Sequence, residues 1–446
     1  MFAMAQAEAR YHPRGFGLRP AIEGSLRLDY HSRLVEEVRA AGNRLSRGDL
    51  TIRLAEEFGF CYGVDRAVEY AYEARAKFPE RRVFMIGEII HNPHVNSRLR
   101  DMGIVFLDPP RPLIAIGGLH GAGESGPGGP GRAEGRGAGR GRGDAAAGTE
   151  RATAESVAPD PYAAVGSEDV VIIPAFGVPV RDLGLLRQRG CILVDTTCGS
   201  VLNVWKNVER YAREGFTSII HGKYWHEETR ATASRALSLG GGHYLVLRDL
   251  EEARLAARAV AGKGDLDAFA ERFRSATSPG FDPARHLDRL GLANQTTMLS
   301  SESLEIGEIL RRAMVERWGE EEVLRRFRAF DTICSATQER QDAVLKLLES
   351  PLDLMLVVGG YNSSNTSHLA EMASGRVPTY HIEDAQELVS ADEICHKPVG
   401  ASAPRVTRAW LPRRPLKVGL TAGASTPNSK VGEVIERLAA CCGISL

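Results

Sequence analysis

The feature that most constrains this chain is a unit it repeats: four or five apolar residues, a polar or glycine-bearing loop, then a helical pattern. Val83-Phe84-Met85-Ile86 runs into Gly87-Glu88-Ile89-Ile90-His91-Asn92, and Val170-Val171-Ile172-Ile173 runs into Pro174-Ala175-Phe176-Gly177. Residues 191–194 enter Asp195-Thr196-Thr197-Cys198, and residues 217–220 enter His221-Gly222-Lys223-Tyr224-Trp225-His226-Glu227-Glu228-Thr229. Residues 244–247, 354–358 and 417–420 repeat the apolar run. Strands that alternate with helices in this way predict an α/β protein with small, mainly parallel sheets. The polar segments all follow strands, where open α/β sheets place their ligands.

Three of these junctions carry a cysteine just ahead of a helical pattern. Cys61 precedes Ala67, Val68, Ala71 and Tyr72; Cys198 precedes Val201, Val204, Trp205 and Val208; Cys334 precedes Ala343, Val344, Leu347 and Leu348. Free backbone N–H groups and the helix dipole favour a thiolate there. Asp-Thr-x-Cys occurs at both Cys198 and Cys334, about 136 residues apart, which points to internal pseudo-symmetry with one cysteine per lobe. The reading divides the chain into an N-terminal extension (1–50) and three α/β lobes (51–197, 198–333 and 334–446). A Gly/Ala/Pro/Arg-rich insertion at about 116–166 interrupts the first lobe. Its scarcity of aromatic and β-branched residues predicts disorder. Residues 262–288 read as a polar connection.

A charged fraction of 25% and a net charge of −1 offer no global attraction to nucleic acid or anionic lipid, and no apolar run is long enough for a membrane span. The arginines among the insertion's glycines are the one feature that hints at RNA, and a solvated loop accounts for them better. No secretory or transit signal is evident. Seven cysteines in 446 residues do not form a disulfide framework, so a reducing, cytoplasmic compartment is expected, with cysteines used for metal or chemistry.

Three isolated cysteines could hold zinc with a histidine, hold three irons of a 4Fe–4S cluster, or be buried core thiols. No CxxC pair is present, which excludes zinc-ribbon and ferredoxin spacings. Asn362-Ser363-Ser364-Asn365, behind Gly359-Gly360, suits phosphate oxygens at a helix N-terminus, as does Thr421-Ala422-Gly423-Ala424-Ser425. Either loop could instead be a helix cap. His226 and Glu228, two apart after a strand, would share a face in extended backbone and could bind phosphate and pass a proton. His91 follows another strand end, and Gln295-Thr296-Thr297 adds hydroxyls.

Together, Gly59–Arg66, Glu88–Asn92, Asp195–Cys198, His226–Thr229, Gln295–Thr297, Asp331–Gln341, Gly360–Thr366 and Thr421–Pro427 resemble one family, the 4-hydroxy-3-methylbut-2-enyl diphosphate (LytB-type) reductases of the non-mevalonate isoprenoid pathway. The long N-terminus resembles the cyanobacterial and plastid branch. The resemblance implies a trefoil of three α/β lobes around a central 4Fe–4S cluster held by Cys61, Cys198 and Cys334, with the fourth iron open to substrate. It implies that His91, His226, Ser363, Ser364, Asn365 and Ser425 bind the diphosphate and that Glu228, helped by Thr296, donates a proton. The expected products are isopentenyl and dimethylallyl diphosphates. The expected electron donor is a ferredoxin or flavodoxin, and the expected state is a monomer or homodimer without nucleic-acid or membrane partners. The alternative is a zinc-dependent hydrolase acting on a diphosphate. Two positions depart from the family pattern: Phe176 stands where a histidine is usual, and Gly199 follows Cys198 where a proline is common.

Overall fold

The computed structural model describes residues 10–108, 160–238, 240–330 and 332–446. Three separate sheets carry the fold. The first orders its strands Tyr11–His12, Ile192–Asp195, Val170–Ile173, Val83–Ile86 and Ile104–Leu107, all parallel. The second, also parallel, runs Phe327–Ala329, Leu290–Asn294, Thr217–His221 and His243–Leu247. The third runs Thr379–Ile382, Leu354–Val358, Leu416–Ala422, Leu50–Leu54 and Arg44–Arg47, antiparallel only at its last pair. A two-stranded antiparallel ribbon, Glu393–His396 with Arg405–Arg408, stands apart. Strands such as Val83–Ile86, Val170–Ile173 and Leu354–Val358 are buried along their whole length. That is why their sequences read as unbroken apolar runs: helices cover both faces of the sheet.

The sheets divide the chain differently from the contiguous lobes expected. Leu50–Leu54, expected to open the first lobe, pairs with Leu416–Ala422 at the other end of the chain. Local sequence marks this segment as a strand but does not name its partner. The extension is also not a separate appendage. Tyr11–His12 joins the first sheet, and Val35 and Val38 of the helix Arg33–Ala40 enter the core of the third.

The expected insertion falls mostly outside the described residues, but its C-terminal end at 160–166 is packed. Tyr162 and Val165 are buried, and Asp169 accepts from the Gly166 N–H. Residues 262–288, expected to be a polar connection, contain the helices Leu266–Arg272 and Pro283–His286. Phe269 and Phe273, one turn apart, anchor the first of these in the second core. Leu266, Phe269, Ala270 and Phe273 fall at i, i+3, i+4 and i+7, a short helical period set among polar residues. No described helix is long and apolar enough to cross a membrane.

Candidate active site

Each of the three cysteines is the N-cap of a helix: Cys61 of Tyr62–Lys77, Cys198 of Gly199–Arg213 and Cys334 of Ser335–Leu347. Cys61 N–H donates to the Ala424 carbonyl, Cys198 N–H to that of Ala175, and Cys334 N–H to that of Thr296, at 3.0–3.3 Å. Each helix start is thus hung on the loop after the neighbouring strand of its own sheet: Leu416–Ala422 beside Leu50–Leu54, Val170–Ile173 beside Ile192–Asp195, and Leu290–Asn294 beside Phe327–Ala329. All three cysteines line one cavity of about 80 Å³.

The sulfur environments differ. Cys61 Sγ accepts from Val64 N–H at 3.4 Å, and Cys334 Sγ accepts from Thr337 N–H at 3.3 Å and lies 2.9 Å from Thr337 Oγ1. Cys198 Sγ makes no such cap bond. Burial nevertheless pushes the Cys61 thiol up and the Cys334 thiol up to about 11. For the bare thiols, desolvation therefore outweighs the helix N-terminus that the sequence had suggested would favour thiolates; a bound cation would reverse the balance.

The sulfurs suit a cluster better than a single ion. Among the described residues the one group whose ligand atoms all lie within 4.8 Å of one another is His91, His226 and Glu227, so the sulfurs are spread more widely than that. One zinc at about 2.3 Å from each sulfur would need them closer. Gly63 lies against the sulfurs: a Cβ there would sit 2.6 Å from Cys198 Sγ and 3.9 Å from Cys61 Sγ.

Glu228 lines the same cavity. It is 1% exposed, its Oε1 accepts from Thr296 N–H at 2.6 Å and its Oε2 from Thr296 Oγ1 at 3.0 Å. Burial raises its pKa to about 7, against the opposing bonds from Thr296. The expected extended backbone for His226 and Glu228 is not what is found. His226 caps the helix Glu227–Leu237, and Glu228 lies in its first turn. Both reach the cavity because the helix N-terminus points into it. His226 Nδ1 accepts from Glu228 N–H at 3.2 Å, and burial beside His91, Lys223 and His368 holds its pKa well below the usual value. Neutral His226 therefore carries its proton on Nε2.

The diphosphate candidates line the remaining wall. Ser363 caps the helix Ser364–Ser374, accepting from Thr366 N–H at 3.3 Å, so capping and cavity lining coincide in one residue. Ser425 Oγ donates to the His91 carbonyl at 3.2 Å and lies 3.4 Å from Ser363 Oγ. Asn365 Oδ1 accepts from Ala424 N–H at 2.9 Å, leaving its buried Nδ2 without a partner. His91 Nε2 is also buried without a hydrogen bond but lies 3.5 Å from Glu227 Oε2, while its Nδ1 lies 3.0 Å from Glu88. Phe176 stacks on the His91 ring at 4.4 Å between centroids and meets His226 edge-on at 5.5 Å. It packs against both imidazole rings and adds no donor.

The cavity thus gathers every candidate: Cys61, Cys198, Cys334, His91, His226, Glu228, Thr296, Ser363, Ser364, Asn365 and Ser425. The sequence reading had not singled out Ser200 and Thr337, which line it too, or His368, whose Nδ1 donates to the Thr297 carbonyl at 2.9 Å. The position of His368 in the first turn of the Ser364–Ser374 helix was the available signal. Gln295 joins the loops, donating to Thr297 Oγ1 and Ser364 Oγ while accepting from Lys223 N–H and Thr229 Oγ1.

The family model described as LytB protein matches residues 52–138 and 140–439. The 4-hydroxy-3-methylbut-2-enyl diphosphate reductase of Thermosynechococcus vestitus is 44% identical over 96% of this chain and 94% of its own. The reductase of the same name from Parasynechococcus marenigrum is 46% identical over 96% and 95%. The solved E-1-hydroxy-2-methyl-but-2-enyl-4-diphosphate reductase of Plasmodium falciparum, 19% identical, overlays with a TM-score of 0.55 across 87% of each chain, a likeness of fold. The zinc hydrolase alternative finds no support among these relatives. With the family's motifs gathered in one cavity and its model matched over nearly the whole of residues 52–439, this chain is a member of the LytB protein family.

Proposed function

We propose that this chain reduces 4-hydroxy-3-methylbut-2-enyl diphosphate to isopentenyl and dimethylallyl diphosphates, consuming two electrons and two protons and releasing the hydroxyl as water. The observation that carries the reading is the convergence of three sulfurs, one near-neutral carboxyl and a set of anion-binding side chains, the unpartnered Asn365 Nδ2 among them, on one cavity. Cys61, Cys198 and Cys334 would hold a 4Fe–4S cluster with one iron open, which when bound supplies the electrons and a Lewis acid for the leaving oxygen.

The remaining residues do work the chain itself supplies. His91 Nε2, His226 Nε2–H, Asn365 Nδ2 and the hydroxyls of Ser363, Ser364 and Ser425 take the diphosphate at the N-terminus of Ser364–Ser374. Anchoring those phosphates fixes the hydroxyl end without contact at the reacting carbon. Glu228, oriented by two bonds from Thr296, gives the hydroxyl its proton. A ferredoxin- or flavodoxin-type protein delivers the electrons, and the enzyme works in the cytoplasm as a monomer or homodimer built of three lobes.

Anaerobic reconstitution of the full chain with iron and sulfide tests this. A brown protein that turns over the diphosphate with a low-potential reductant is expected. A colourless, zinc-loaded protein that hydrolyses the diphosphate would overturn it.

A further inference from the structure

Arg340 and Arg66 hold the sulfur loops in place. Arg340, 3% exposed, lies on the Cys334 helix and reaches back to the Cys61 loop. Its Nη2 donates to the carbonyls of Gly59 (2.8 Å) and Phe60 (3.3 Å), and its Nε to Gly59 (3.2 Å); Nη1 donates to Ala336 (2.8 Å). Arg66 repeats the device one lobe on. It lies on the Cys61 helix, and its Nη2 donates to the Thr197 carbonyl (2.8 Å) beside Cys198, while its buried Nε has no hydrogen-bond partner. Each guanidinium thus ties one cysteine helix to the carbonyls just before another cysteine.

Among the described residues neither arginine lies within ion-pair distance of a carboxylate. Burying a cation without an anion is costly, and neutral carbonyls meet only part of that cost. The groups left to carry a negative charge opposite them are the three sulfurs, once they bind a metal group as thiolates. We propose that Arg340, with Arg66 in support, is a positioning residue whose fixed charge balances an anionic group held by Cys61, Cys198 and Cys334, and so sets how readily that group accepts an electron. The inference rests on the function proposed above. A three-thiolate 4Fe–4S cluster carries net negative charge that grows on reduction, and nearby fixed charge is one of the protein's levers on its potential.

The test compares anaerobically reconstituted full-length wild type, Arg340→Met, Arg340→Lys and Arg66→Met by redox titration followed by EPR. In Arg340→Met the midpoint should move negative by at least a tenfold change in the reduced-to-oxidised ratio, about 59 mV for one electron. Arg340→Lys, which keeps the charge and loses the fork, should stay near wild type. If Arg340→Met fails to retain a cluster, Arg66→Met carries the same measurement with a smaller negative shift expected. Equal potentials in the methionine variants and wild type would overturn the proposal. A lysine variant shifted as far as methionine would also overturn it, since the hydrogen bonds alone would then account for the arginine. A wild-type chain that forms no cluster would instead sink the reductase reading.

Discussion

At Glu228 a single side chain links folding to chemistry. A carboxyl at its ordinary value of 4.5 would be ionised at neutral pH and could not act as an acid; burial moves this one to about 7. Turnover should therefore fall as pH rises through about 7, because the donor form is lost. The stability consequence has the same sign. Between about 4.5 and 7 the folded state binds more protons than the unfolded one. The contribution of Glu228 is thus intact below 4.5, declines across that window and is lost above about 7. Glu228→Gln should abolish this slope in a pH series of urea unfolding. It should also slow turnover by roughly 10²–10⁴-fold with little change in substrate affinity, since the amide can accept and donate hydrogen bonds but cannot release that proton. Near-normal turnover in the variant would remove Glu228 from the mechanism.

Among the elements, the cysteine-headed helices were legible in the sequence because a polar cap ahead of an apolar period is a local signal, and all three caps lie where that signal placed them. Their mutual placement was carried by the matching motifs rather than by any local pattern. The pairing of Leu50–Leu54 with Leu416–Ala422 and the reach of Arg340 to Gly59 are long-range and leave no local trace. His226 and Glu228 were the right residues in the wrong backbone: two-residue spacing has one meaning in a strand and another at a helix cap.

Gly63 makes the packing of these helices testable. Gly63→Ala puts a methyl 2.6 Å from Cys198 Sγ, the sulfur without a cap bond to hold it. Iron and sulfide per chain should drop well below wild type, while the far-UV spectrum is unchanged, because alanine suits a helix better than glycine does. Gly199→Ala, at the first position after Cys198, meets nothing within 4 Å and should load normally. Equal loading in both variants would show that the Cys198 sulfur has room to move.

On the scale of the whole molecule, three sheets with separate cores must be held in one arrangement around a cavity that belongs to none of them. Bonds between loops of different sheets do this inside, Ser425 Oγ to the His91 carbonyl and Gln295 Nε2 to Ser364 Oγ, and the N-terminal extension does it outside. Asp29 Oδ2 accepts from Tyr72 Oη at 2.7 Å and Arg98 Nε at 2.9 Å, both in the part of the chain that builds the first sheet, while its carbonyl accepts from Ser429 Oγ at 3.1 Å on the last helix, Asn428–Cys441. Neighbouring Tyr30 packs on Phe60 beside the Cys61 loop. Asp29→Ala leaves Arg98 without its carboxylate and deprives Tyr72 of one of its two partners, which costs about 1–2 kcal/mol at a largely buried carboxylate. That loss removes one of several ties of the segment, beside the Phe16 and Leu18 N–H bonds to Glu73, so local opening should increase before global unfolding does. Limited proteolysis should cut within residues 10–50 several-fold faster than in wild type. Iron loading should hold, because the Ala424 and Arg340 contacts of the Cys61 loop are untouched. Asp29→Asn, which retains the tyrosine bond, should fall between the two. Unchanged cleavage in Asp29→Ala would mean that the other ties, the Glu73 bonds and the buried Tyr30, Val35 and Val38 among them, hold the extension without it.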